Sequence, residues 1–253
     1  MNIDKPLENH ISKLKKLWKK SFGDTDESIN TFFETAFSKE RCMCCFVKDD
    51  IVASLYWFNC MFYNKRIAYI YAVSTAKEYR RQGICHKLME HTHLHLLSNG
   101  YAGAVLVPEN KELFGFYEQM EYTICTNIGD IHCGASADSI DIRKIDADEY
   151  TRIRKSFLPL GGIVQEDENI AYLSAQAQFY VGENFLLAAR VDGNTLRGIE
   201  LLGDTSYAPQ ITRALECKSG DFRVAGDDRL FSMYKTFDSE NDDLPTYFGL
   251  AFD

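Results

Sequence analysis

The stretch that decides the fold is VSTAKEYRRQGICHKLM, residues 73–89. Within it a strand-like run ends, the chain turns through Arg80, Arg81 and Gly83, and a helical pattern begins at Ile84. The first amides of a helix have no acceptor inside the helix, and they lie at the positive end of its dipole. A glycine lets a phosphate approach the backbone closely, and arginines add charge-assisted hydrogen bonds. The stretch therefore predicts a pyrophosphate site in the turn between a strand and a helix.

The segments around this turn predict an α/β fold with a mixed sheet. Apolar residues at helical spacing predict a helix over 7–22, and Asp26 or Ser28 can cap a second helix. Alternating runs then predict an antiparallel meander over residues 42–48, 51–62 and 66–73. Beyond the turn, the predicted elements are a helix over 84–98, a strand over 102–107, a helix over 111–120 and a strand over 122–128. Strands and helices in this order are typical of α/β proteins.

A small, polar stretch at residues 133–139 predicts a boundary between two domains, 1–135 and 136–253. The elements predicted for the second domain are a strand over 140–144, helices over 147–157, 168–179 and 208–215, a hairpin over 185–191 and 195–202, and strands over 230–234 and 247–252. This order echoes the first domain. The second domain, however, contains no counterpart of the basic glycine turn.

Charge and hydropathy narrow the functional classes. The formal net charge is −9, and residues 136–253 account for all of it with 21 acidic and 12 basic side chains. An acidic surface repels nucleic acid and suits an amine substrate, although a merely solubilising surface has the same composition. No apolar run approaches the roughly 20 residues that span a bilayer, and the N-terminus lacks the order of a secretory signal. We therefore expect a cytoplasmic protein with no nucleic acid or membrane partner.

Two groups of side chains invite a metal interpretation. Cys42, Cys44 and Cys45 lie close together on a predicted strand, and His91 and His95 share one face of a predicted helix. Cysteine is also among the most frequently buried residue types, and the helix face that carries the histidines is expected to be exposed. The eight cysteines form no pair of CxxC motifs. We therefore expect reduced thiols and no metal site.

The decisive stretch resembles motif A of the GNAT (GCN5-related) N-acetyltransferases, written Q/R-x-x-G-x-G/A. Arg80 stands at its first position and Gly83 at its central glycine. Residues 106–120, which include LVPEN and LFGFYEQM, resemble motif B of the same family. Two positions depart from the family pattern. Cys85 replaces a glycine or alanine, and Glu121 replaces a glycine after the motif B helix, where a left-handed residue other than glycine costs about 1 kcal/mol.

The resemblance implies a GNAT fold over residues 1–135 and a degenerate GNAT-like unit over 136–253. It also implies acetyl-CoA as the acyl donor. The backbone of Ala72 and Val73 would pair with the pantetheine arm, and Asn110 and Phe116 would lie beside it. The pyrophosphate would be held by the turn residues, which are Arg80, Arg81, Gln82, Gly83, Ile84 and Cys85.

The resemblance makes Tyr117 the general acid. Attack of an amine on a thioester expels a thiolate, which leaves more easily when a positioned phenol supplies a proton. The attacking amine must itself lose a proton, because the pKa of a lysine-like amine is about 10.4. Glu78, Tyr69 and Tyr71 are candidates for the base, and the sequence does not choose among them.

These observations favour an N-acyltransferase that moves acetyl from acetyl-CoA to a primary amine on a small molecule or a protein. Two alternatives stay open: a non-catalytic acyl-CoA-binding sensor, and a longer-acyl or aminoacyl transferase of tandem GNAT architecture. The second domain would wall off the acceptor cleft, with acidic side chains at Asp227, Asp228, Asp242 and Asp243.

Overall fold

The computed structural model describes residues 1–237 and 243–252. The chain packs as two compact units. The first consists of Met1–Thr123 with Met233–Asp243, and the second of Ile124–Ser232 with Leu244–Asp253. The assignment of a catalytic role to residues 1–135 and of a degenerate GNAT-like role to residues 136–253 stays a prediction.

The regular elements alternate along the chain. The α-helices are α1 (Ile11–Phe22), α2 (Asp26–Thr35), α3 (Ile84–Ser98), α4 (Lys111–Glu118), α5 (Ala147–Phe157), α6 (Glu168–Ser174) and α7 (Ala208–Ala214). The strands are β1 (Asn2–Asp4), β2 (Cys42–Val47), β3 (Asp50–Phe62), β4 (Lys65–Thr75), β5 (Gly103–Leu106), β6 (Thr123–Gly134), β7 (Arg143–Ile145), β8 (Val164–Gln165), β9 (Gln178–Val181), β10 (Phe185–Asp192), β11 (Thr195–Gly203), β12 (Ser219–Ala225) and β13 (Arg229–Thr236).

The first unit is built on a mixed sheet with the strand order β1-β2-β3-β4-β5, and Met233–Thr236 of β13 pairs with β5. All neighbours are antiparallel except β4 and β5, which are parallel. Helix α1 covers the sheet with Leu14, Leu17 and Trp18, all of which are buried at helical spacing. The α/β fold with a mixed sheet that the sequence predicts is therefore confirmed.

Strands β4 and β5 are paired over only part of their length. Their parallel pairs are Ile67 with Gly103, Ala68 with Ala104 and Tyr69 with Val105. Strand β4 continues to Thr75 without further β5 partners, whereas β5 ends at Leu106. The pairing of the two strands therefore ends at Tyr69, and an opening follows on the part of β4 that leads along the chain to the turn before α3.

The strands of the second unit include parallel and antiparallel pairs. Its strand order is β6-β12-β11-β10-β9-β7, with Arg229–Ser232 of β13 beyond β6. Strands β11 and β12 are parallel, as β4 and β5 are in the first unit. Helices α5 and α6 pack on one apolar cluster, which includes Tyr150 and Leu173, and α7 packs on another, which includes Ile211 and Phe222. Both faces of this sheet are therefore covered.

Several predicted elements differ from the structure in the second unit. The helix predicted over 168–179 ends at Ser174, and Gln178–Val181 forms β9, because aromatic and β-branched side chains favour a strand. The run 247–252 is buried but is not a strand, since its one bridge joins Tyr247 to Gly162. Strand β12 has no counterpart among the predicted elements. In the first unit, the cap of α2 is Thr25, whose hydroxyl accepts a hydrogen bond from the Ser28 amide at 3.1 Å, rather than Asp26 or Ser28.

Candidate active site

The turn between β4 and α3 contains two residues with left-handed backbone. Arg81 has φ +60° and Gly83 has φ +72°. Gly83 is the N-cap of α3, and no side chain caps the helix there. Left-handed residues that alternate with ordinary ones turn successive N–H groups toward one concavity, which suits an anion. The local backbone is therefore a concave turn at the N-terminus of α3, and its role as a phosphate site stays a prediction.

The amides of this turn are unpaired. Within residues 1–237 and 243–252, the backbone N–H groups from Arg81 to Cys85 donate to no protein acceptor. The first bond into the helix is from the Lys87 amide to the Gly83 carbonyl, at 3.1 Å. Arg81, Gln82 and Gly83 are exposed. Five successive donors are therefore available at the positive end of a 15-residue helix.

Two side chains brace the turn. The Nε of Arg80 donates to the carbonyl of Thr75 at 3.0 Å, and the Nε2 of Gln82 donates to the carbonyl of Glu78 at 3.0 Å. These bonds tie the turn to the end of β4 and to the short 3₁₀ turn Lys77–Tyr79. They hold the turn in place without using its amides.

Ala72 and Val73 form a β-bulge in β4. Tyr71 pairs with Tyr56 and Ser74 with Ser54, so Ala72 and Val73 together oppose the single residue Leu55. Ala72 has φ +48°, which a residue with a Cβ seldom adopts. A bulge breaks the ladder and redirects the backbone groups of its extra residue. The bulge lies on the stretch of β4 that has no β5 partner, next to the opening between the two strands.

Tyr117 is a buried phenol on α4. Its side chain is 7% exposed, and its ring centroid lies 5.2 Å from that of Phe116 and 5.8 Å from that of Tyr122. In the described residues its hydroxyl makes no hydrogen bond. Burial raises the pKa of Tyr117, and charge interactions with Cys85 and Glu109 raise it further. The phenol therefore keeps its proton at neutral pH, and it lies within the electrostatic reach of the first turn of α3.

The other motif B positions have structural partners. Asn110 is the N-cap of α4, and its Oδ1 accepts a hydrogen bond from the Leu113 amide at 3.2 Å. Phe116 is half-buried. Glu121 has φ +66°, so the left-handed conformation predicted at the end of motif B is confirmed. Its carboxylate accepts a hydrogen bond from Lys235 Nζ at 2.5 Å, while Lys235 also donates to the carbonyl of Met120 at 2.9 Å.

Tyr122 packs against the ring of Tyr117, and His93 is hydrogen-bonded to Tyr122. The Nε2 of His93 and the hydroxyl of Tyr122 are 2.8 Å apart, and both side chains are buried. Burial lowers the pKa of His93 to about 3, so this ring is neutral at physiological pH. In the sequence, the one signal of this role is that His93 lies among apolar positions of α3. A neutral, hydrogen-bonded histidine can occupy such a position.

The three candidate bases differ in burial. Glu78 is exposed, whereas Tyr69 is buried and stacked on Phe58 with ring centroids 5.6 Å apart. Tyr71 is half-buried, and its ring lies 5.6 Å from that of Trp18. These positions leave the base unassigned.

The two groups considered for metal binding have ordinary surroundings. The sulfurs of Cys42 and Cys44 are 3.8 Å apart in the core, and burial raises the pKa of Cys42, which keeps this thiol protonated. His91 is exposed, and His95 makes contact with Trp57 at 5.9 Å between ring centroids. Within the part of the chain that the structure describes, no three His, Cys, Asp or Glu side chains are grouped to hold a metal ion.

The acidic residues proposed for the acceptor cleft are partly described. Asp228 accepts a hydrogen bond from the Asp130 amide at 3.0 Å, and Asp227 and Asp243 are exposed. Asp242 lies outside the described residues. Their role at the acceptor cleft stays a prediction.

Among the described residues, no helix combines the length and the apolar character needed to cross a membrane.

Comparison with known proteins identifies the family. Residues 2–125 match the family model described as an acetyltransferase (GNAT) domain. The fold is similar to a GCN5-related N-acetyltransferase from Kribbella flavida (TM-score 0.72, 15% identity, 94% of this chain and 71% of that one) and to another from Anabaena variabilis (0.75, 12%, 94% and 73%). It is also similar to Eis1 from Mycobacterium abscessus (0.69, 12%, 95% and 75%). No curated protein sequence gives a significant match. Residues 2–125 of the chain therefore form a GNAT acetyltransferase domain, which supports an acyl-CoA-dependent N-acyltransferase in general.

Proposed function

We propose that the chain transfers an acetyl group from acetyl-CoA to a primary amine by direct attack of the amine on the thioester. The observation that carries this proposal is the set of five unpaired amides from Arg81 to Cys85 at the start of α3. Unpaired amides at a helix N-terminus bind phosphate groups well, because the helix dipole and the N–H donors act together. CoA carries a pyrophosphate, which suits this group of donors.

In the proposed complex the pantetheine arm lies in the opening between β4 and β5. The bulge at Ala72 and Val73 supports this path, since it frees backbone groups on the side of β4 that lacks a partner strand. Asn110 and Phe116 are proposed to flank the arm. Asn110 Oδ1 is used in capping α4, so its amide nitrogen is the group that remains for the cofactor.

Tyr117 is proposed as the general acid. The amine nitrogen forms a bond to the acetyl carbon, the bond from that carbon to sulfur breaks, and the phenol delivers its proton to the departing thiolate. Burial keeps the phenol protonated, and its hydroxyl has no hydrogen-bond partner in the described residues that would compete for the proton. The proton that the amine loses passes to a base that is not assigned.

The second unit is proposed to have no cofactor site of its own. In this unit β11 and β12 part beyond the pair Gly198 and Phe222, which leaves an opening like the one between β4 and β5. The segment around Gly249 fills it. A Cβ at Gly249 would overlap Glu200 Oε1 of β11, while the Gly249 carbonyl accepts a hydrogen bond from Arg223 of β12 at 3.4 Å. This part of the chain therefore supports a structural role.

The test is release of free CoA from acetyl-CoA with a panel of primary amines. The variants are Tyr117→Phe, which removes one hydroxyl, and Tyr63→Phe, which removes the hydroxyl of a half-exposed tyrosine in the turn between β3 and β4. We expect Tyr117→Phe to bind CoA as the wild type does and to lower kcat by about 10² to 10⁴, the usual contribution of a general acid. Tyr63→Phe is expected to have wild-type kcat.

The panel also separates the alternatives. Binding of acetyl-CoA without turnover of any amine would favour the acyl-CoA sensor. Turnover of longer acyl-CoA donors with little turnover of acetyl-CoA would favour the longer-acyl transferase. An unchanged kcat in Tyr117→Phe would remove Tyr117 from the mechanism.

A further inference from the structure

The second unit contains a cavity of about 180 Å³ beside its sheet, and Gly198, Phe222 and Ala251 of its lining lie next to the filled opening between β11 and β12. Four arginines line it, namely Arg190, Arg197, Arg223 and Arg229. They are four of the 12 basic residues between positions 136 and 253, and among the described residues the carboxylates that line the cavity are Asp130 and Asp221. A concentration of positive charge in an acidic half of the chain points to an anionic ligand.

The charges form a row across four neighbouring strands. His132 on β6 is opposite Asp221 on β12, Asp221 is opposite Arg197 on β11, and Arg197 is opposite Arg190 on β10. Asp221 accepts hydrogen bonds from both His132, at 2.8 Å, and Arg197. These contacts lower the pKa of Asp221, first through His132. The single carboxylate of the row is therefore shared between two partners.

Arg190 has no acceptor in the part of the chain that the structure describes. Its cross-strand neighbour is Arg197, and two like charges that face each other across a sheet destabilise it. In the residues that the structure describes, no hydrogen bond or ion pair involves the Arg190 guanidinium. An anion between Arg190 and Arg197 would convert this repulsion into two charge-assisted contacts.

Two further guanidiniums that line the cavity are held in place. The guanidinium of Arg223 lies 4.9 Å, and that of Arg229 5.6 Å, from the centroid of the Phe231 ring. Arg223 donates to the Ala251 carbonyl at 3.1 Å, and Arg229 forms an ion pair with Asp130 at 2.7 Å. Side chains fixed in this way lose little conformational freedom when they bind a ligand.

We propose that this cavity binds a small organic dianion through carboxylate or phosphate groups. Arg190 and Arg197 hold one anionic group, and Arg223 and Arg229 face the second. The planar guanidinium matches both carboxylate and phosphate in a bidentate manner, so the shared chemistry is that of the anion rather than of one compound. The proposal concerns the second unit alone and does not depend on the transferase activity of the first.

The test is the thermal unfolding midpoint in the absence of CoA, with succinate, citrate or inorganic phosphate added and with sodium chloride at matched ionic strength as the reference. A ligand that binds only the folded chain raises the midpoint, by about 3 °C or more at ten times its dissociation constant. A larger rise of the midpoint with succinate or citrate than with phosphate would indicate a carboxylate ligand. A larger rise with phosphate would indicate a phosphate ligand.

Arg190→Gln is the decisive variant, since it removes a charge that has no partner among the described residues. We expect the affinity for the effective probe to fall at least tenfold. Arg213→Gln, which neutralises an exposed arginine of α7 outside the cavity, is expected to behave as the wild type. The proposal is overturned if no probe acts beyond sodium chloride, or if Arg190→Gln responds to the probe as the wild type does.

Discussion

The sharpest stability prediction concerns the buried ion pair between α5 and β11. Arg154 donates to Glu200 through Nε at 2.7 Å and through a second nitrogen at 2.8 Å. The hydroxyls of Tyr150 and Tyr247 donate to the same carboxylate at 2.7 and 3.0 Å. Arg154 is 1% exposed and Glu200 is 0% exposed. Replacement of Arg154 by methionine leaves a buried carboxylate without a counter-charge, which costs about 3–5 kcal/mol.

The same substitution reverses the pH dependence at this site. Burial alone would raise the pKa of Glu200, but the charge and hydrogen bonds of Arg154 outweigh burial and hold the pKa below its usual value. In the wild type this carboxylate contributes stability above pH 4.5 and loses it as the pH falls through the folded pKa. In Arg154→Met burial prevails and the pKa is raised, so this group destabilises the variant as the pH increases. We expect the loss of stability at pH 7 to exceed that at pH 5.

The assay is urea unfolding at pH 5 and pH 7. Arg152→Met on the same helix is the control, because Arg152 is 77% exposed and its contact with Glu149 at 3.9 Å is a weak surface ion pair. The double variant Arg154→Met with Glu200→Gln removes the orphaned charge and is expected to be more stable than Arg154→Met alone. A loss below about 1 kcal/mol in Arg154→Met, or an equal loss at both pH values, would refute this reasoning.

Two other predictions concern the first unit. Glu121→Gly relieves the left-handed strain at φ +66°, whereas the control Glu118→Gly weakens the end of α4. We expect urea unfolding to show that Glu121→Gly is more stable than Glu118→Gly by at least about 1 kcal/mol. The reverse order of stability would contradict strain at Glu121. The pKa of His93, lowered by burial to about 3, makes folding weaker as the pH falls below 6.5, by about 2 kcal/mol at pH 5. His93→Leu leaves the hydroxyl of Tyr122 unpaired, which costs about 1–3 kcal/mol at pH 7. The same variant is expected to lack the acid-dependent loss of stability. If the free energy of unfolding changed between pH 6.5 and 5 as it does in the wild type, His93 would not be the group responsible.

The elements with clear end signals were predictable from the sequence. Helix α3 has the predicted bounds, 84–98, because Gly83 marks its start and Gly100 follows its end with φ +77°. Helix α5 likewise has the predicted bounds, 147–157, and Asp146 caps its first turn. Such signals are local, so a single sequence contains them.

The features that depend on distant residues were not predictable. The bulge at Ala72 and Val73 is defined by its register against β3, and the contact between His93 and Tyr122 joins residues 29 apart in the chain. Residues 247–252 were predicted to be a strand because the run is apolar. A buried segment is apolar whatever its backbone conformation, so an apolar run does not by itself indicate a strand. Here the described part of the segment is buried and makes a single β-bridge.

The most direct test of the account is a calorimetric titration of CoA into the wild type, Cys85→Ala and Cys85→Pro. Proline is tolerated in the first turn of a helix, and the Cys85 amide has no protein acceptor in the described residues, so Cys85→Pro removes one N–H donor and no protein hydrogen bond. We predict one CoA per chain, wild-type affinity in Cys85→Ala, and an affinity at least tenfold lower in Cys85→Pro. No binding by the wild type, or equal binding by the alanine and proline variants, would contradict a pyrophosphate site built from the amides of this turn.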